Sequence, residues 1–147
     1  AQTQNDTAYL LDSCREFGFA RMVTTPHTCS SVWENTREGI ENKLQEVHGL
    51  LPELSGALHL KAASEYMLDD TFVKLFQEEK LLTLKDNYVL VEMSYINPPI
   101  QLFDILFELQ VAGYQPVLAH PERYNFYHNN FEAYKKLKKA GCLFQAR

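Results

Sequence analysis

Two histidines, two glutamates and an arginine sit in this chain where residue type and spacing permit phosphate chemistry. His120 ends a short apolar run, Pro116 to Ala119. Pro121 then stands where a helix's first turn would begin, and Arg123 follows within that turn. Upstream, Met22-Val23-Thr24-Thr25-Pro26 runs into His27 in the same way. Glu65 follows the stretch through Ala62 and Ala63, and Glu92 interrupts the apolar run Tyr88 to Met93. In parallel α/β folds, functional groups gather at the C-terminal ends of strands. Two neutral imidazoles and a carboxylate are good ligands for Zn²⁺, Mn²⁺ or Fe²⁺, and a carboxylate can bridge two ions about 3.5–4 Å apart. An ion so held lowers the pKa of bound water, while a guanidinium grips phosphate oxygens in bidentate fashion. His27, Glu65 and His120 are therefore candidate metal ligands, and Arg123 is the candidate phosphate-binding residue.

Plainer roles compete with these. A lone strand-end histidine is more often a hydrogen-bonded loop residue, and only the recurrence at equivalent positions, with Glu65 between them in order, puts ligation on level terms. Arg123 could simply pair with Glu122 or a helix end. Glu92 is the weakest member, because an inward-facing strand carboxylate can serve only to orient a neighbour. His48, His59 and His128 read as surface or structural residues, and Tyr124, Phe126 and Tyr127 as packing. Cysteine-based phosphoryl transfer needs an arginine six positions after the nucleophile. Ala20 and Asn35 stand there after Cys14 and Cys29, and the sixth position after Cys142 falls past the last residue, Arg147, so that mechanism is not supported.

The elements that must hold these groups alternate. Leu10, Leu11, Cys14 and Phe17 form an apolar helical face over residues 7–17, and Gly18 follows as the C′ residue. Phe19 to Thr25 reads as a strand, and about 31–48 as a helix with Ile40, Leu44 and Val47 on one face. Ala57 to Lys61 reads as the next strand and 70–79 as a short helix, followed by the strand Tyr88 to Met93. Pro98 and Pro99 open a helix whose face is Phe103, Leu106, Phe107 and Leu109, closed by Gly113. Val117 to Ala119 is a strand, 130–140 a helix, and Cys142 to Gln145 begins a fifth strand. Short, continuous, apolar strands alternating with helices imply a parallel α/β sheet covered by helices. A closed eight-stranded barrel typically needs about 250 residues. A chain that opens on a helix and ends inside a strand reads as cut at both ends.

Composition narrows the function classes. At 147 residues with 46% hydrophobic and 22% charged side chains, the chain suits one globular domain. A net charge of −5 argues against a general nucleic-acid binder. The one dense basic cluster, Lys135, Lys136, Lys138 and Lys139, falls in the last turns of a helix, where the helix dipole accounts for it. No apolar run approaches the roughly 18–20 residues that span a bilayer. Neither a signal peptide nor a disulfide framework is evident, so a reducing, cytoplasmic setting is expected.

Thr24-Thr25-Pro26-His27, Ala63-Ser64-Glu65-Tyr66-Met67, Val89-Leu90-Val91-Glu92-Met93-Ser94 and Ala119-His120-Pro121-Glu122-Arg123-Tyr124 resemble the PHP-domain bacterial tyrosine-protein phosphatases (CpsB/YwqE-like) of capsule and exopolysaccharide synthesis. The resemblance covers essentially the whole chain in order and spacing. It implies an α/β, distorted (β/α)7 TIM-like barrel holding up to three metal ions, of which residues 1–147 would be a partial PHP domain with about five strands. It further implies a manganese-dependent enzyme (iron or zinc as alternatives) that hydrolyses phosphotyrosine on a partner tyrosine autokinase. On that reading His27, Glu65 and His120 match metal ligands, with Glu65 bridging, and Arg123 matches the arginine near the phosphate. The family's opening Asp-x-His-x-His strand and its late Asp-x-His motif are absent, so at most one metal pocket is represented and the piece alone would be weak or inactive. A histidinol-phosphate phosphatase, a nuclease-like accessory module and a non-catalytic scaffold binding a kinase remain as alternatives, and oligomeric state is left open.

Overall fold

The computed structural model describes residues 3–30 and 32–147. Helix α1 (Gln4–Glu16) starts on a capping box, the Thr3 side chain accepting from the Asp6 amide at 3.1 Å while Asp6 accepts from the Thr3 amide at 3.0 Å. It ends where Gly18 takes φ +86°, the left-handed C′ position that glycine fills without strain.

The expected strand over 19–25 is narrower than its apolar pattern and is interrupted. It resolves into β1 (Val23–Thr24) and β2 (His27–Thr28), and its partner into β3 (Lys61–Ala62) and β4 (Glu65–Met67). All pairings are parallel, Val23 with Lys61, Thr24 with Ala62, His27 with Glu65 and Thr28 with Tyr66. The Thr24 and Pro26 carbonyls accept from the Ala63 and Glu65 amides at 2.8 and 3.0 Å, so one register runs through both interruptions. Pro26 has no N–H to donate, which breaks the ladder there.

The expected strand Ala57 to Lys61 is corrected more deeply. Pro52 opens a short helix, α3 (Pro52–Ala57), and His59 has φ +40°, so Leu58 and Leu60 are loop residues that bury their side chains against Leu11. The helix placed at 31–48 is α2 (Arg37–Leu50), because Thr36 caps it by accepting from the Gly39 amide at 3.1 Å. Helix α4 (Asp70–Glu78) matches its expected position, with Asp69 accepting from the Thr71 and Phe72 amides at 2.9 and 3.1 Å.

Strand β5 (Tyr88–Glu92), helix α5 (Leu102–Val111), strand β6 (Gln115–Ala119), helix α6 (Phe131–Lys139) and strand β7 (Leu143–Gln145) complete the alternation. The main sheet is five-stranded and parallel, in the order β2-β4-β5-β6-β7, and β1 pairs with β3 beside it. The apolar face expected for α5 is rotated. Leu102, Ile105, Leu106 and Leu109 are buried, while Phe103 and Phe107 remain 47% and 67% exposed. Leu106 and Leu109 pack into the core with Val89, Val91 and Leu118, each contributing about 1.5–3 kcal/mol by burial.

Period-two alternation sends Val89, Val91 and Met93 into this helix-covered core and leaves Leu90, Val117 and Ala119 in a separate cluster on the opposite face. His27, Glu65, Leu90 and Val117 are successive partners across the sheet, so His27 and Glu65 share that opposite face. This is the face on which the candidate ligands His27 and Glu65 lie.

Among the described residues the three cysteines form no disulfide. Cys142 is 1% exposed, and burial pushes its thiol up to about 12. The thiolate is the reactive form, so Cys142 should resist iodoacetamide in the folded protein at about pH 8.5, near the ordinary cysteine pKa, and label only on unfolding in urea. Peptide mapping of the alkylated protein reads this directly, and Cys142 alkylation in the native state as fast as that of half-buried Cys14 would contradict it.

Candidate metal centre

Four of the singled-out side chains converge on the opposite face of the sheet. His27 and Glu65 open β2 and β4, Glu92 closes β5, and His120 follows β6. Glu92 Oε1 lies 2.7 Å from His27 Nδ1 and Glu92 Oε2 lies 3.5 Å from His120 Nε2. Glu65 Oε1 lies 2.8 Å from the same His120 nitrogen. Ligand atoms of His27, Glu65 and Glu92 all lie within 4.8 Å of one another. Glu92, ranked last on sequence grounds, is thus the hub that joins the two imidazoles. Its side chain is 5% exposed, against 45% for His27.

The electrostatics of this group call for positive charge. Burial holds the Glu92 carboxyl above its ordinary range, the neighbouring Glu65 charge adds to that, and His27 partly offsets it. Among the described residues no lysine or arginine pairs with either carboxylate; their partners are the two histidines. His120 Nδ1 is buried and has no hydrogen-bond partner among the described residues. Two hard carboxylates with two imidazoles form a donor set that fits Mn²⁺, Fe²⁺ or Zn²⁺.

The local chain explains how each group is held. His120 has φ +34° immediately before Pro121, a left-handed conformation of the kind that costs about 1–3 kcal/mol and persists where its surroundings enforce it. Its amide donates to the Gln145 carbonyl at 2.8 Å, and its carbonyl accepts from the Arg123 amide at 2.9 Å, closing the 3-10 turn Pro121–Arg123. Tyr124 is fully buried beneath. Its hydroxyl accepts from the Met93 amide at 3.0 Å and donates to the Ala119 carbonyl at 3.2 Å, tying together the residues beside Glu92 and His120. On the far side, Asn35 Nδ2 donates to the His27 carbonyl at 2.8 Å, and the Trp33 ring stacks on the His27 imidazole with centroids 6.4 Å apart.

Thr25, His27, Glu65, His120, Arg123 and Arg147 line an open depression of about 350 Å³. Arg123 does not pair with Glu122; its guanidinium lies 4.6 Å above the Tyr95 ring. A larger cleft of about 510 Å³ between α1 and α2 is mainly apolar, and among the described residues Lys43 is its one charged lining residue. His48 bonds Ser55 at 3.0 Å and His128 the Glu122 carbonyl at 2.9 Å, both away from the cluster. Sequence reasoning missed Tyr95 and Trp33. Trp33 carried one available signal, being the chain's single tryptophan a few residues after His27.

Among the described residues no helix is long and apolar enough to cross a membrane. Residues 1–147 match the model of a family described as capsular polysaccharide synthesis, CpsB/CapC. The chain is 29% identical to tyrosine-protein phosphatase CpsB of Streptococcus pneumoniae over 144 residues, 97% of this chain and 58% of that one. It is 27% identical to tyrosine-protein phosphatase YwqE of Bacillus subtilis (strain 168) over 107 residues, 72% of this chain and 42% of that one. Its fold aligns with a TM-score of 0.88 and 24% identity to a chain from the crystal structures of YwqE and CpsB, described there as unique metal-dependent tyrosine phosphatases. That alignment takes in 99% of this chain and 60% of the other, so the chain spans about three-fifths or less of the length of these relatives. With the family match extending from the first residue to the last, the chain belongs to the CpsB/CapC family of capsular polysaccharide synthesis.

Proposed function

We propose that this chain contributes one wall of a metal-dependent protein-tyrosine phosphatase that acts on phosphotyrosine proteins of capsule or exopolysaccharide synthesis. The protein acts in the cytoplasm with a tyrosine autokinase as its partner, and residues 1–147 are part of a single PHP-type (β/α)7 domain. The observation that carries this reading is the convergence of His27, Glu65, Glu92 and His120 on one face of the sheet. The names and the metal dependence of the relatives support it.

His27, Glu65, Glu92 and His120 would hold a divalent ion, manganese in the first instance, with iron and zinc as alternatives. When bound, such an ion supplies Lewis acidity toward phosphate oxygens and makes water nucleophilic at neutral pH. The chain's own residues do the rest. The Arg123 guanidinium, whose face lies on Tyr95 and which pairs with no carboxylate among the described residues, binds phosphate oxygens and offsets the charge that develops on them. Glu92 restrains the His27 ring from the buried side, and the left-handed turn at His120 aims its imidazole at Glu65.

The single tryptophan gives a direct test. Because Trp33 stacks on His27, titration with paramagnetic Mn²⁺ should quench its fluorescence, and His27→Ala or Glu65→Gln should remove that quenching. Equal quenching in all three proteins would contradict an ion site here. In the intact protein, hydrolysis of a phosphotyrosine peptide in preference to histidinol phosphate is the expected outcome, and the reverse preference would move the reading to a different phosphoesterase.

A further inference from the structure

We infer that Tyr95 is a positioning residue for Arg123, holding the guanidinium in a pre-formed orientation in which its face is occupied and its hydrogen-bonding edge is open to a phosphate. The inference rests on the phosphatase reading above for the identity of the anion, but its physical basis is separate. Arg123 lies on the 3-10 turn after β6, and Tyr95 lies in the loop between β5 and α5. The Arg123 Cζ stands 4.6 Å from the Tyr95 ring centroid, well within the range of a cation–π contact. No carboxylate pairs with Arg123 among the described residues. The adjacent Glu122 instead accepts from the Arg147 amide at 3.3 Å.

Tyr95 is itself held. Its ring centroid lies 5.8 Å from that of His120 and 6.0 Å from that of Tyr124, and Tyr124 is fully buried. A continuous series of rings therefore runs from the core through Tyr95 to the one exposed cation on the His120 turn. An arginine on a flexible stem ordinarily loses rotamer freedom when it grips an anion. Stacking on the Tyr95 ring, which is 41% exposed but packed against His120 and Tyr124, removes part of that loss before the anion arrives, and it leaves all five N–H donors in the guanidinium plane. Tyr95 touches no phosphate in this arrangement and acts through Arg123 alone.

The effect should appear in binding more than in turnover. Orthophosphate titrated into the ¹⁵N-labelled chain, observed at the Arg123 Nε–H resonance, gives the dissociation constant without any need for hydrolysis. In the wild-type chain that resonance should carry the ring-current shift of a stacked guanidinium. Tyr95→Leu should abolish the shift and weaken phosphate about two- to five-fold, the range a cation–π contact spans at an exposed site. Tyr95→Phe, which keeps the ring, should restore both. In the Arg123→Ala background, Tyr95→Leu should add nothing further, followed there by competition against a fluorescent phosphate analogue.

Unchanged phosphate affinity in Tyr95→Leu, additive losses in the double variant, or a wild-type chain whose Arg123 signal ignores phosphate would each overturn the inference. If phosphate binds as described and the intact protein hydrolyses no phosphate ester, the phosphatase reading falls while the role of Tyr95 stands.

Discussion

On the phosphatase reading proposed above, Glu92→Gln should abolish metal-dependent hydrolysis, lowering kcat/KM by at least about 100-fold, and at the same time make the metal-free protein harder to melt. The first effect follows from position. Glu92 faces His27 through one oxygen and His120 through the other, so an amide there removes the negative charge and one of the two acceptor oxygens that the proposed ion site and the two rings rely on. The second follows from the charge. The carboxyl holds its proton more tightly in the folded chain, because it is buried and because Glu65 lies beside it. Stability linked to such a group is fully present below its unfolded pKa and is lost as the pH rises through its folded one. At neutral pH the ionised carboxylate therefore opposes folding in the metal-free protein, and the neutral amide relieves that. Melting curves of both proteins in chelator should show the variant higher near neutrality, with the gap closing toward acid. A variant that melts lower at neutral pH while retaining Mn²⁺ affinity would show that Glu92 is a structural hydrogen-bond partner and nothing more.

The second large effect is expected at Tyr124. Tyr124→Phe deletes a hydroxyl that serves the Met93 amide and the Ala119 carbonyl, both buried, and should cost about 1–3 kcal/mol of folding free energy through the groups left unpaired. Tyr124→Ala adds a cavity in the largest cluster and should cost about 3–5 kcal/mol. Urea unfolding followed by circular dichroism measures both. The phenylalanine variant should also bind Mn²⁺ more weakly, because Met93 follows Glu92 and Ala119 precedes His120. Full Mn²⁺ affinity alongside the predicted stability loss would restrict Tyr124 to packing.

Much of this arrangement was legible in the residues themselves. His27 and His120 each end a short strand-like run beside a proline, and the order His27, Glu65, His120 matches the order of strands. The strands that contain Glu92 and Ala119 were legible because they are buried on both faces and so read as continuous apolar runs. Glu92 was underrated for the same reason, since one carboxylate within such a run looks like an exception when its pairing register is unknown. Met67 lies opposite Glu92 in that register, which brings the carboxylate beside Glu65. The α5 face was misassigned because Phe103 and Phe107 are large and apolar, yet hydrophobicity alone cannot orient a helix whose two faces are both apolar. Tyr95 was invisible. Its contacts join two loops separated by α5 and β6, and no spacing rule connects positions 95 and 123.

The four side chains at the hub come from four strand ends, each separated from the next by at least one helix. In the unfolded chain these groups are strangers, and no short segment holds two of them close enough to chelate. Whatever cation they take must therefore discriminate between folded and unfolded chains almost completely. Mass action then adds about 2.7 kcal/mol to the folded state when the free ion stands at a hundred times its dissociation constant. Ion affinity in this protein becomes a measure of folding itself, and a substitution far from the site can lower apparent metal binding simply by depleting the population able to bind.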